Sequence, residues 1–149
     1  MMGMFEGCSN LKNLKLKNAF IREGIKKLKN TSRMFKNCVS LTGVNLKILN
    51  TENVTHMFEM FEGCSSLKEL DLSNLSIDKV KDMSYMFFGC SELRKLDLSG
   101  FKGNRFVQCT GMFDKCFALE EIVLSKYCPP CIKRELSIAL GDRVNIIEV

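Results

Sequence analysis

The sequence has no Trp, two Pro and a single His, and no long apolar run. Nothing approaches the roughly 20 apolar residues of a transmembrane helix. Residues 1–20 hold no unbroken apolar stretch of the kind a secretory signal carries, so neither membrane insertion nor a signal peptide is expected. With His56 the only His, at most one Ser/His/Asp constellation can be built. No G-x-x-x-x-G-K-[ST] phosphate loop occurs. The basic excess is small, 22 Lys and Arg against 17 Asp and Glu for a net charge of +5. A nucleic-acid binder more often carries a dense basic stripe, so no nucleic-acid partner is expected. Lys12, Lys15, Lys17, Lys26, Lys27 and Lys29 make the first thirty residues basic and read as a solvated surface.

What the sequence does have is unusual in one respect: 11 Phe, 9 Met and 8 Cys recur together. Met-Phe-x-x-Cys occurs at Met4, Met34, Met60, Met86 and Met112, at spacings of 30, 26, 26 and 26 residues. With that Met as position zero, position seven is Leu11, Leu41, Leu67, Leu93 and Leu119. Position ten is Leu14, Val44, Leu70, Leu96 and Ile122, and position twelve is Leu16, Leu46, Leu72, Leu98 and Leu124. Agreement at these positions in five copies defines an internal repeat.

Leu-x-x-Leu-x-Leu is the leucine-rich-repeat signature, and its last two apolar positions have strand periodicity. The Met-Phe-x-Gly-Cys segment reads as a short helical turn on the convex side. Its Gly (Gly7, Gly63, Gly89) would stop the turn at positive φ. A weaker second half adds inward candidates: Leu49, Leu75, Phe101 and Tyr127, then Val54, Val80 and Phe106, then Met57, Met83 and Cys109. In the first copy, allowing for its insertion, Ala19 or Phe20, Leu28 and Thr31 fill these places.

The expected fold is an α/β leucine-rich-repeat solenoid of about five 26-residue coils. It forms a single domain, 1–149. The repeats run over about 4–33, 34–59, 60–85, 86–111 and 112–127, and a cap covers 128–149. The cap reads as a helix over Ile132–Leu140 stopped by Gly141, then a sixth strand with Val144, Ile147 and Val149 in the Leu-x-x-Leu-x-Leu spacing. The first repeat begins at once at Met4-Phe5, so further repeats or a partner are expected to cover its open face.

Met60-Phe-Glu-Gly-Cys-Ser-Ser-Leu-Lys-Glu-Leu-Asp-Leu-Ser, continuing through Val80-Lys-Asp-Met-Ser-Tyr-Met-Phe-Phe-Gly-Cys90, resembles the BspA-like leucine-rich repeat. That repeat is typical of Bacteroides surface protein A and related bacterial surface proteins, and it is similar to repeats of mycoplasma surface lipoproteins. The resemblance covers about residues 4–127, departing at Ala19–Gly24 and at Lys102-Gly103-Asn104, where Asp-Thr-Ser is usual. It implies a surface-exposed or extracellular protein, of a kind in which some members are adhesins or bind host proteins.

Candidate chemistry is sparse. Cys8, Cys38, Cys64, Cys90 and Cys116 share one repeat position and read as a ladder of buried, reduced thiols. A line of stacked ligands makes no tetrahedral metal site, and no metal is expected. Cys128-Pro-Pro-Cys131 is sharper: it could be a structural disulfide clip or cap packing, a redox pair, or half of a zinc site without visible partners. His56 falls where later copies have Asp82 and Gln108, which marks it as solvent-facing. The Phe and Met columns read as core fillers, and no cofactor is expected.

A solenoid's concave face is its usual binding surface. The outward strand positions place Lys15, Lys17, Asn45, Lys47, Glu69, Asp71, Lys95 and Asp97 there, basic in the first copies and acidic or hydroxyl-bearing in the later ones. No aromatic residue stands among them, so weak, salt-sensitive, polar recognition of a protein partner is expected. Three functional readings follow. The first is a non-enzymatic protein-binding module for surface adhesion or partner recognition. The second is the same module as an intracellular or secreted scaffold. The third is a thiol–disulfide enzyme using Cys128 and Cys131.

Overall fold

A computed structural model describes residues 1–16 and 28–149. Lys17, the Ala19 and Phe20 positions and the Ala19–Gly24 insertion lie outside the described residues. Each copy contributes a strand at its outward–inward–outward triplet: β1 (Asn13–Lys15), β2 (Gly43–Asn45), β3 (Glu69–Asp71), β4 (Lys95–Leu98) and β5 (Glu121–Leu124). They are followed by α1 (Pro130–Leu140), a 3-10 turn (Gly141–Arg143) and β6 (Asn145–Glu148). All strand pairs are parallel, with β1-β2 in one sheet and β3-β4-β5-β6 in another, and neither closes into a barrel. Few helices and parallel strands agree with the α/β class.

Register follows the repeat. Leu14 faces Val44, and Leu70 faces Leu96, which faces Ile122. The period of two buries Leu70 and Leu96, at 4% and 2% exposure, and turns Glu69 and Asp71 outward. A second, thinner ladder of parallel bridges links Asn30, His56, Asp82 and Gln108.

The Met-Phe-x-x-Cys segments are not helical. They form consecutive tight turns in which even-position amides bond within the turn, as Lys36 N–H to Arg33 O and Cys38 N–H to Phe35 O (both 3.1 Å). Odd-position amides leave the repeat and donate to the next one: Arg33 to Phe58 O, Phe35 to Met60 O and Asn37 to Glu62 O (2.9, 2.9 and 2.7 Å). Backbone in the left-handed region at alternate ends of the turn makes this possible. Gly7, Gly63 and Gly89 sit there at φ 72°, as do the non-glycines Arg33, Glu59 and Tyr85 at 55–58°. The expected helix stop is thus one half of a repeating backbone device.

The side chains follow the same ladder. Phe5, Phe35, Phe61, Phe87 and Phe113 stack face to face with centroids 5.2–6.0 Å apart. Each buried thiol of the column donates to the Phe carbonyl of the preceding copy: Cys38 to Phe5 O, Cys64 to Phe35 O, Cys90 to Phe61 O and Cys116 to Phe87 O (3.0–3.2 Å). Cys8 has no such partner among the described residues and is exposed, contrary to the expectation for the whole column.

Several inward assignments shift. Val107, not Phe106, fills the core in the fourth copy, and Phe106 is 94% exposed. Gly103 and Asn104, both at positive φ, add a bend just before it. Asn104 Nδ2 donates to the carbonyls of Ile77 and Val80, anchoring that bend to the third copy. Tyr127 is 66% exposed rather than inward. At the end, α1 starts at Pro130, whose missing N–H suits a first helical turn, and stops at Gly141 (φ 60°). β6 pairs one residue off the expected spacing: Ile146 faces Ile122, and Ile147 faces Val123 on the outward side. Glu135 of α1 is buried, and its Oε2 accepts the Gly111 N–H at 3.0 Å. The equivalent Tyr85 amide donates to Thr110 O of the next copy, so a carboxylate stands in for the carbonyl of an absent repeat.

Leu70→Ala or Leu96→Ala is expected to cost about 2–5 kcal/mol in denaturant melts, and the exposed Lys68→Ala less than about 0.5 kcal/mol. Gly100→Ala should also destabilise, because a Cβ there would lie 2.3 Å from Ser73 O and 2.7 Å from Leu75 O, both backbone atoms. Equal effects of Leu70→Ala and Lys68→Ala would contradict the inward–outward assignment.

Candidate functional site

The outward strand residues meet along an open groove of about 410 Å³. Of the residues expected there, it brings together Glu69, Asp71, Lys95 and Asp97, and it adds Gly43 and Glu121. Asn45 and Lys47 line a smaller recess of about 190 Å³ with Asp71. Lys15 ends β1 in register with Asn45. Lys17 is outside the described residues.

The position shared by Asn45, Asp71 and Asp97 has a local task that the sequence pattern does not reveal. Asn45 Oδ1 accepts the Lys47 N–H at 3.0 Å, Asp71 Oδ1 the Ser73 N–H at 3.0 Å, and Asp97 Oδ1 the Ser99 N–H at 2.8 Å. These Asx turns bend the chain as it leaves each strand. Asp71 also accepts the Ser73 hydroxyl at 2.6 Å. The Ser73 hydroxyl and amide bonds, together with the nearby Lys47 charge, hold the Asp71 carboxyl below the usual range. Across the groove Lys95 Nζ lies 3.8 Å from Glu121 Oε1. The face can therefore hold polar or charged groups by exposed contacts, with two of its carboxylates oriented by backbone turns.

On the opposite edge of the repeats Glu59 joins Arg33 and Lys36 at 2.8 and 2.6 Å, and Lys36 also reaches Glu62 at 3.0 Å. Burial would raise the Glu59 pKa, but the hydrogen bonds from Lys36 and Arg33 outweigh it and the carboxyl is held low. This network runs from Arg33 at the end of the first copy through Lys36 and Glu59 of the second to Glu62 of the third, and the repeat spacing gives no sign of it.

The cysteine pairing departs from expectation. Cys131 is joined to Cys109 (Cα–Cα 6.0 Å), while Cys128 is a free thiol. Cys109 stands in the buried inward column, and α1 packs Cys131 against that core, so the partner is 22 residues away rather than three. Cys128–Cys131 is thus neither a clip nor a closed redox pair. His56 is exposed, with Nδ1 2.9 Å from Thr55 Oγ1. Among the described residues no group of three His, Cys, Asp or Glu side chains is placed to hold a metal ion. No helix among them is long and apolar enough to cross a membrane.

Repeats that each supply a parallel strand and a Phe–Cys turn define a repeat protein with an open polar strand face. Residues 1–127 match the family described as Mycoplasma protein of unknown function, DUF285, and the chain belongs to that family. The match stops before α1 and β6. Comparison with curated proteins and with solved structures gives no match.

Burial raises the column thiols, Cys38 to about 11, Cys64 and Cys116 to about 12, and Cys90 well above its ordinary value. At about pH 8 iodoacetamide is therefore expected to modify Cys8 and Cys128 first, and the four buried thiols only on unfolding. Peptide mapping after native and denaturing alkylation checks this, and native labelling of Cys64 or Cys90 at the Cys8 rate would contradict it.

Because the folded Asp71 pKa is depressed, its contribution is present above the unfolded pKa and is lost as pH falls through the folded value. Asp71→Asn keeps the turn acceptor and removes that titration. From about pH 6 to about pH 3 the variant should lose less stability than the parent, read from urea midpoints. An equal loss would show that the carboxylate titrates normally.

Proposed function

We propose that the chain is a leucine-rich-repeat solenoid of the BspA-like kind, with about five coils, acting as a non-enzymatic protein-binding module at a cell surface. The carrying observation is the groove of about 410 Å³, where strands of successive repeats align Glu69, Asp71, Lys95 and Asp97 over a buried Leu70–Leu96 floor. Parallel stacking of identical units is how solenoids build extended binding surfaces. The partner chemistry is polar and charged, with basic groups at Lys15 and Lys47 and acidic groups further along. The resemblance to bacterial surface repeats supports a location outside the cell, where host proteins are candidate partners.

The test combines Glu69→Lys with Asp71→Asn and Asp97→Asn, which reverses one charge, removes two and keeps the strand-end turns. The intact chain is immobilised against a panel of purified extracellular matrix and serum proteins. For any partner bound, the triple variant is expected to lose at least about tenfold in affinity and most of its salt dependence. Unchanged affinity would remove the strand face as the site. Surface biotinylation of intact cells tests the location, and labelling only after lysis would favour an internal scaffold.

A further inference from the structure

A second site lies where the fourth copy departs from the repeat. A cleft of about 500 Å³ is lined by Gly103, Arg105, Lys126, Tyr127, Cys128 and Pro130. Its two walls are tied together, because the Gly103 N–H donates to Tyr127 O at 2.9 Å. The Asn104 side chain fixes the first wall to the carbonyls of Ile77 and Val80. Arg105 thus stands on a braced bend rather than a free loop.

The chemistry of this cleft differs from that of the strand groove. Arg105 and Lys126 both line it, and among the described residues neither forms an ion pair. Lys126 Nζ lies 5.5 Å from the Tyr127 ring centroid. Glu148 of the closing strand is paired with Lys133 at 2.5 Å rather than with either cation of the cleft. Tyr127, in the cleft lining, is 66% exposed, and Phe106, the residue after Arg105 in sequence, is 94% exposed. Exposed Phe on a braced backbone has no folding rationale, since Val107 supplies the core contact instead. Arg and aromatic side chains around a recess are the residues that dominate tight protein contacts.

We propose that this cleft docks an acidic segment of a partner protein. An Asp or Glu carboxylate enters between Arg105 and Lys126, and a neighbouring apolar side chain lies on Tyr127. The volume suits one or two side chains, and the two cations form a point rather than a stripe, which favours a peptide over a nucleic-acid backbone. The site is separate from the strand groove and stands without it.

Cys128, half-buried and free in the same cleft, provides the local readout. The intact chain is alkylated at low salt with and without acetyl-Asp-Glu-Phe-Asp-Glu-amide, its Asn/Gln counterpart, or a short oligo-dT. At about 5 mM the acidic peptide is expected to slow Cys128 modification at least about threefold, with Cys8 unaffected and the neutral peptide inactive. Arg105→Glu with Lys126→Glu, both at the surface, should abolish the protection at an unchanged melting temperature. Absence of protection, equal protection by the neutral peptide, or protection that survives in the double variant would overturn the proposal. Stronger protection by oligo-dT would overturn it in favour of a nucleic acid.

Discussion

Odd-position amides of each Met-Phe-x-x-Cys turn find no acceptor in their own repeat, and the rest of the structure depends on where they go. Twelve of them donate to carbonyls one copy further on at 2.7–3.1 Å, from Gly3 to Gly89. The geometry requires left-handed backbone at both ends of the turn, which Arg33, Asn37, Glu59 and Tyr85 adopt without being glycine. That conformation is unfavourable for residues with a Cβ, and it persists because the neighbouring repeat over-determines it. No copy can satisfy its turn alone. Cooperation between copies is therefore built into the backbone, and the stacked Phe rings and the thiol-to-carbonyl bonds act in the same direction.

The same constraint explains how the chain ends and what its surface offers. Where no sixth copy follows, the Gly111 amide needs an acceptor, and Glu135 supplies a buried carboxylate from α1. The Cys109–Cys131 link fixes that helix against the last copies. The stack also holds the paired strands in register, β1 with β2 and β3 through β6, so outward residues fall into columns without any selection for a ligand. Asp71 and Asp97 occupy such a column because their Asx turns serve the fold. Glu69, Lys95 and Glu121 carry no such duty to the backbone. Phe106 and Tyr127 stand outside the inward positions that the spacing assigns them, and beside Arg105 and Lys126 the surface is free to specialise.

The core was largely legible in the sequence because one period orders it. Once Met4, Met34 and Met60 are aligned, the Leu columns fall into place, and their burial follows from strand alternation. The turn was not legible. Gly63 and Gly89 advertise positive φ, but Arg33 and Tyr85 in the same conformation give no compositional signal, so a helix stop was the natural reading. The sequence pairs Cys131 with Cys128 by spacing, because the approach of α1 to Cys109 is not visible along the chain. Counting along the repeat puts Phe106 inward, and the bend at Gly103 and Asn104 shifts the count by one. In the strand face the outward columns were foreseen, whereas the Asx role of Asp71 and Asp97 needed the hydrogen bonds to be seen.

Residue-resolved hydrogen exchange on the folded chain tests the inter-repeat amide ladder most directly. If the ladder holds the copies together, the odd-position amides of Phe35, Asn37, Phe61, Gly63, Phe87 and Gly89 exchange slowly and with similar protection, close to that of the β3–β4–β5 strands. Exchange of these six at the rate of exposed loop amides, with only the even-position amides protected, would show self-contained turns and contradict the account.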